Sequence, residues 1–136
     1  MFYEKYVVIL LAIVFNFCTA QTFSGVGGSI PKNNYVIFDI NVNGTGILNS
    51  DYGLEKICVN IKFPHDENLK LVLRSPFGSM ITLSENIGGQ GSDYIGTCFD
   101  GVSANSIALG EAPFTGNYLP ESSLGILNNN QSGDGK

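Results

Sequence analysis

The chain of 136 residues has no tryptophan, one histidine and few charged side chains. Charged residues make up 14% of the sequence. The 7 Lys and Arg residues are outnumbered by 12 Asp and Glu residues, which gives a net charge of −5. Because these basic residues are scattered along an acidic chain, they form no stripe that could follow a phosphate backbone. We therefore expect no nucleic-acid partner.

The sequence also lacks an apolar run long enough to span a bilayer comfortably. Its longest run extends from Tyr6 to Phe17, and small residues follow at Cys18 and Ala20. Small residues three and one positions before a cut are typical of a signal-peptide cleavage site, which places the cut ahead of Gln21. A lipoprotein signal would need a small residue before Cys18, where Phe17 stands.

The expected organisation is therefore that of an exported protein with one domain. It would be secreted, or held at the cell surface or in the periplasm, with no membrane attachment after the signal is removed. The predicted segments are a signal peptide at 1–20, a linker at 21–29 and a domain at 30–136.

Cysteine is scarce, with three residues in the chain, and signal cleavage removes Cys18. The remaining pair, Cys58 and Cys98, favours a structural disulfide because the chain is exported and the count is even. Two separate buried thiols remain the alternative. A metal site would need more ligands than His65 can supply, and a redox role would need the Cys-x-x-Cys spacing.

Glycine is abundant, with 17 residues, and no segment has a helical period long enough to indicate a helix. Alternating apolar residues predict strands at Tyr35–Val42 and at Ile57–Phe63. A third alternating stretch, Leu69–Leu83, is divided by Ser75-Pro76-Phe77-Gly78, whose residue order is typical of a tight turn. The pattern predicts an all-β fold, a sandwich, with a β-hairpin at 69–83.

The hairpin segment resembles the core of the P domain (P/Homo B domain), a β-sandwich of the galactose-binding-like, jelly-roll type that accompanies kexin- and furin-like subtilisin proteases. Similar segments occur in the expected order along the chain, as in the bacterial secreted subgroup. They are Gly53–Ile61, Gly88–Tyr94, Thr97–Asp100, and Ala112–Gly116 with Tyr118 and Pro120. The chain departs from the family before the hairpin, where His, an aromatic residue and Asp are replaced by Phe63, His65 and Asn68. No role of that His or Asp is therefore carried over.

The resemblance also predicts a further strand after residues 128–136, beginning with Trp. Since the sequence has no Trp, we expect Lys136 to be a truncation point and the domain to lack at least its last strand.

Two segments contain residues that could bind a metal ion or act as a nucleophile. Asp93 and Asp100 lie in or beside a glycine-rich loop, where carboxylate and backbone oxygens can bind calcium, as some P domains do. The alternative is that these aspartates cap turns. Gly78-Ser79-Met80 is similar to the nucleophile segment of subtilisins, but Ser79 is expected to open a strand and His65 is the only candidate base.

The resemblance implies an exported accessory domain associated with serine-type endopeptidases and proteolysis, which stabilises or targets a larger secreted protein. Its expected partners are the protease or other domains of that protein, and this chain by itself would not be catalytic. The alternative is an adhesive or ligand-binding β-sandwich of a cell-surface protein, with contacts made by loops such as 88–94.

Overall fold

A computed structural model of the protein describes residues 20–136, which form five β-strands in two sheets. The strands are β1 (Lys56–Ile61), β2 (Lys70–Arg74), β3 (Met80–Glu85), β4 (Tyr94–Asp100) and β5 (Phe114–Tyr118). Within the described residues the helical segments are short 3₁₀ helices at Asp66–Asn68, Ile107–Leu109 and Leu124–Leu127. The described part of the chain therefore consists mostly of strands and loops with little helix, in keeping with the all-β prediction.

The predicted signal peptide, residues 1–20, lies outside the described part of the chain except for its last residue, Ala20. From residue 20 onward, no helix has the length and apolar character that crossing a bilayer requires.

The larger sheet has the order β1-β4-β5, with β1 antiparallel and β5 parallel to the central strand β4. Cys58 on β1 lies directly opposite Cys98 on β4, with their Cα atoms 4.0 Å apart, and a disulfide joins them. The cysteines are separated by 40 positions in sequence. On the chain-entropy account, closing a loop of that length stabilises the folded state by about 4 kcal/mol.

The smaller sheet is the hairpin of β2 and β3, as the turn residues predicted. In the turn, the N–H of Gly78 donates to the carbonyl of Ser75 at 3.0 Å, and Gly78 adopts a φ of +90°. Glycine is favoured here because a Cβ atom is strongly disfavoured at this φ. Leu71 and Leu73 are partly buried on one face of β2. Turn chemistry and alternation therefore agree with the structure.

Side chains from both sheets meet in one apolar cluster. In this cluster Tyr94 on β4 is stacked on Phe114 of β5, with ring centroids 4.7 Å apart. The Tyr94 hydroxyl also shares a hydrogen bond of 2.8 Å with Ser84 on β3, which connects the two sheets. The buried members of the cluster are Leu69, Ile81, Leu83, Tyr94, Phe99, Ile107, Phe114, Leu124 and Leu127.

The predicted strand at Tyr35–Val42 is wrong. Val42 alone forms an isolated antiparallel bridge, with Gly135, and the rest of the segment has no ladder partner among the described residues. The alternation of apolar residues is present in the sequence, but a strand also needs a neighbour for its backbone N–H and C=O groups. Phe38 and Ile37 consequently remain exposed.

The segments 42–48 and 130–135 lie alongside each other. Antiparallel bridges join Val42 to Gly135 and Ile47 to Ser132. Asp134 strengthens this pairing because its Oδ1 accepts hydrogen bonds from the backbone N–H and the hydroxyl of Thr45, both at 2.8 Å. The C-terminal residues are thereby fastened to the segment that precedes β1.

Candidate functional site

The glycine-rich loop between β3 and β4, residues 86–93, packs against the 3₁₀ helix Asp66–Asn68. The N–H of Asp66 donates to the carbonyl of Gly91 at 2.9 Å, and the N–H of Glu67 donates to the carbonyl of Gly89 at 3.1 Å. Two backbone hydrogen bonds therefore close the loop over the start of this helix.

Gly88 fits its position because there is no room for a side chain. Its φ is +95°, and a Cβ atom would lie 2.9 Å from Cε2 of Phe114 and 3.0 Å from Cβ of Asp66. Contacts shorter than ordinary van der Waals separation would push the loop away from both residues. With any other residue at position 88, the loop could not pack as closely against Phe114 and Asp66.

Asp66 is a fully buried acid under this loop, with 0% of its surface exposed. Its Oδ1 accepts a hydrogen bond of 3.2 Å from the backbone N–H of Asp93, while Oδ2 has no hydrogen-bond partner among residues 20–136. Burial raises the pKa of the carboxyl, and the nearby charge of Asp93 adds to that effect. The hydrogen bond from the Asp93 backbone acts in the opposite direction by stabilising the ionised form.

Asp93 lies beside Asp66 at the end of the loop and adopts a φ of +81°, which is uncommon outside glycine. Its Oδ1 accepts a hydrogen bond of 2.9 Å from the backbone N–H of Phe63. The side chain therefore fastens the loop to the segment after β1, while the backbone N–H of the same residue contacts Asp66.

Asp100 lies at the other end of β4, about 20 Å from Asp93 at the usual rise per strand residue. Its Oδ1 accepts a hydrogen bond of 3.0 Å from the N–H of Val102, and its Oδ2 pairs with Nζ of Lys56 at 3.2 Å. The Val102 hydrogen bond, followed by that from Lys56, lowers the pKa of Asp100. The two predicted calcium residues are therefore not brought together, and Asp100 caps a turn.

Within residues 20–136, no group of three or more His, Cys, Asp or Glu side chains assembles around a position for a metal ion. Any cation at the loop would therefore depend on two carboxylates and on backbone oxygens.

The same loop also lines an open surface pocket of about 600 Å³. Gly88, Gly89 and Gly91 form one wall, and Gly110, Glu111 and Ala112 contribute to the other. The glycines leave backbone polar groups accessible beside few side chains. Such a wall can contact a ligand through backbone N–H and C=O groups.

Ser79 lies in the hairpin turn at the start of β3, where its backbone N–H donates to Oγ of Ser75 at 3.1 Å. Its hydroxyl accepts a hydrogen bond of 3.1 Å from the side-chain amide of Asn129. His65 precedes the 3₁₀ helix Asp66–Asn68, in the predicted turn, and makes no hydrogen bond with Ser79. Ser79 therefore has no paired imidazole base and is not positioned as the nucleophile of a strand–turn–helix.

Sequence reasoning missed Asp66, the most unusual acid in the described chain. In the sequence it belongs to a polar turn, His65-Asp66-Glu67-Asn68, where an aspartate is ordinarily exposed. Its burial results from a contact with Asp93, 27 positions later. Neither composition nor periodicity reports such a contact.

No protein-family model matches this chain, and neither the curated proteins nor the solved structures contain a significant match to it.

Proposed function

We propose that this protein is an exported, non-catalytic accessory domain of the P/Homo B type, a β-sandwich that stabilises or targets a larger secreted protein with a serine-type endopeptidase. The proposal rests on the residues that resemble the P domain and on what those residues do in the fold. Its partner would be the protease or another domain of the same secreted assembly.

The observation that carries the proposal is that the motifs of the resemblance build a scaffold. Residues 75–78 form the hairpin turn, and Cys98 and Phe99 supply the disulfide and the core of β4. Phe114 is fully buried, while Gly116 has a φ of +87°. These motifs serve folding, which fits a supporting domain better than an enzyme.

A peptidase assay tests the non-catalytic part of this proposal. We expect no hydrolysis of peptide or casein substrates and no labelling by a fluorophosphonate, because Ser79 pairs with Asn129 and has no base to activate it. The control is Ser79→Ala, which should behave like the wild-type protein in both assays. Stoichiometric labelling that disappears in Ser79→Ala would make the protein an enzyme.

The accessory role is tested in the organism that produces the protein. The reading frame and its neighbours are inspected for a subtilisin-like catalytic triad, and the codons for residues 30–136 are then deleted in frame. We expect the secreted proteolytic activity to fall, with the catalytic domain present but less stable to heat. Unchanged amounts and unchanged thermal inactivation of that protease would contradict the proposal.

The alternative function, a ligand-binding or adhesive module, is favoured by the pocket beside the glycine-rich loop. A glycan array and a panel of matrix proteins would test it. Ala108→Arg would fill this pocket from an exposed position, whereas Val102→Arg would add the same charge at an exposed position that is not part of the pocket lining. Binding that is lost only in Ala108→Arg would favour the alternative.

A further inference from the structure

Oδ2 of Asp66 poses a chemical problem because it is buried and has no hydrogen-bond partner in the part of the chain that the structure describes. A carboxylate oxygen removed from water requires a hydrogen-bond donor or a positive charge. Lys56 and Lys70 pair with other acids, Asp100 and Glu85 respectively. No ion pair to Asp66 is present within residues 20–136.

Protonation of Asp66 would remove its charge, but Oδ2 would still need a hydrogen-bond partner. A protonated Oδ2 becomes an O–H donor and then needs an acceptor in its turn. The other oxygen already accepts the N–H of Asp93, an arrangement that suits the ionised form. A bound cation would balance the buried charge and give Oδ2 a partner, while leaving the hydrogen bond at Oδ1 in place.

The surroundings offer the ligands that such a cation would need. The backbone N–H of Asp93 contacts the Asp66 carboxyl, and the charge of Asp93 acts on it. The carbonyls of Gly89 and Gly91 accept hydrogen bonds from the backbone N–H groups of Glu67 and of Asp66 itself. Each carbonyl oxygen retains a second lone pair. Carboxylate and backbone oxygens on an irregular loop suit calcium, whereas magnesium demands a stricter octahedral arrangement.

We propose that Asp66 and Asp93 bind one calcium ion together with backbone carbonyls of the glycine-rich loop, and that the ion fastens this loop to the 3₁₀ helix Asp66–Asn68. Asp100 has no part in the site. Because the same loop lines the surface pocket, calcium also fixes the shape of that pocket.

The test begins with the protein purified after expression of the full chain and stripped with a chelator. Terbium serves as a luminescent probe for calcium, excited through tyrosine, because Tyr94 follows Asp93 directly and the chain has no tryptophan. We expect terbium to bind one to one, calcium to displace it, and the melting temperature to rise with calcium concentration. Failure of calcium to displace terbium or raise the melting temperature at up to about 10 mM, beyond the range of weak extracellular sites, would overturn the proposal.

Three matched variants locate the site. Asp66→Asn and Asp93→Asn should each weaken calcium binding at least tenfold, and the amide oxygen in Asp93→Asn still provides an acceptor for the N–H of Phe63. Asp100→Asn removes the same charge from the other end of β4 and should bind like the wild-type protein. Should Asp66→Asn fail to fold, Asp93→Asn decides the question. Wild-type affinity in Asp93→Asn, or a loss in Asp100→Asn equal to that in Asp93→Asn, would refute the assignment.

Discussion

At the scale of single residues, the polar groups in the interior determine how the two sheets fit together. Tyr94 and Ser84 are both buried, and their hydroxyls share one hydrogen bond between β4 and β3. A satisfied buried pair adds little to stability relative to water, but either partner left alone bears the full cost of desolvation. The cost of leaving one of the two hydroxyls without its partner can be measured with single and double variants.

We predict that Tyr94→Phe and Ser84→Ala each destabilise the protein by about 1–3 kcal/mol, since each leaves one buried hydroxyl without its partner. The double variant should lose less than the sum of the two single changes, because no orphaned hydroxyl remains. Denaturant unfolding of all four proteins measures this coupling. Strictly additive losses would mean that the hydrogen bond is not formed.

The residue pattern predicted roles that depend on sequence neighbours, but it did not predict which polar side chain is buried. The turn role of Gly78 could be read from its neighbours, since turn geometry depends on residues adjacent in sequence. The burial of Asp66 could not, because it depends on a loop contact made 27 positions later. Asp93 and Asp100 likewise had the same predicted role as calcium ligands in the sequence, although they lie at opposite ends of β4.

At the scale of elements, the pairing of 42–48 with 130–135 holds the two flanking segments together. The backbone N–H of Thr45, and next its hydroxyl, lower the pKa of Asp134 by stabilising the carboxylate. A lowered carboxyl pKa means that the folded state favours the ionised form. Its stabilising effect is fully present above the ordinary pKa of 3.8 and is lost as the pH falls through the lower folded value.

We therefore predict that Asp134 titrates below 3.8 in the folded protein. Carboxyl-carbon NMR should give this midpoint, and the amide proton of Thr45 should shift with it as its acceptor becomes protonated. Asp134→Asn should abolish that step in the Thr45 signal, while Asp51→Asn should leave it unchanged. A midpoint at or above 3.8 would contradict the hydrogen bonding described here.

Elements with local determinants were predictable, and elements with distant partners were not. The hairpin β2–β3 follows from alternation and a tight turn, both encoded within residues 69–83. The segment 35–42 alternates equally well but lacks a neighbouring strand among the described residues, so its predicted strand does not form. The parallel pairing of β5 with β4 had no local signature, because parallel neighbours are joined by a long connection.

At the scale of the whole molecule, the segment Tyr35–Phe38 exposes apolar side chains, and its backbone groups have no partner in another segment of the described chain. Tyr35 is 80% exposed and Ile37 is 59% exposed, and residues 22–41 form no backbone–backbone hydrogen bond with another segment of the described chain. Extended apolar chain with unpaired backbone groups is the kind of surface that adds to another strand. In a solution of the pure protein, another copy of the same chain can supply that strand.

We predict that the protein self-associates as its concentration rises, through pairing of these segments between copies. Ile37→Lys should reduce association, because a charge within the segment opposes strand addition, while leaving the melting temperature of the monomer nearly unchanged. Val102→Lys is the matched control, since Val102 is 91% exposed outside the segment and should keep the wild-type behaviour. Sedimentation velocity over a concentration series measures the effect. Equal association in all three proteins would show that another surface is responsible.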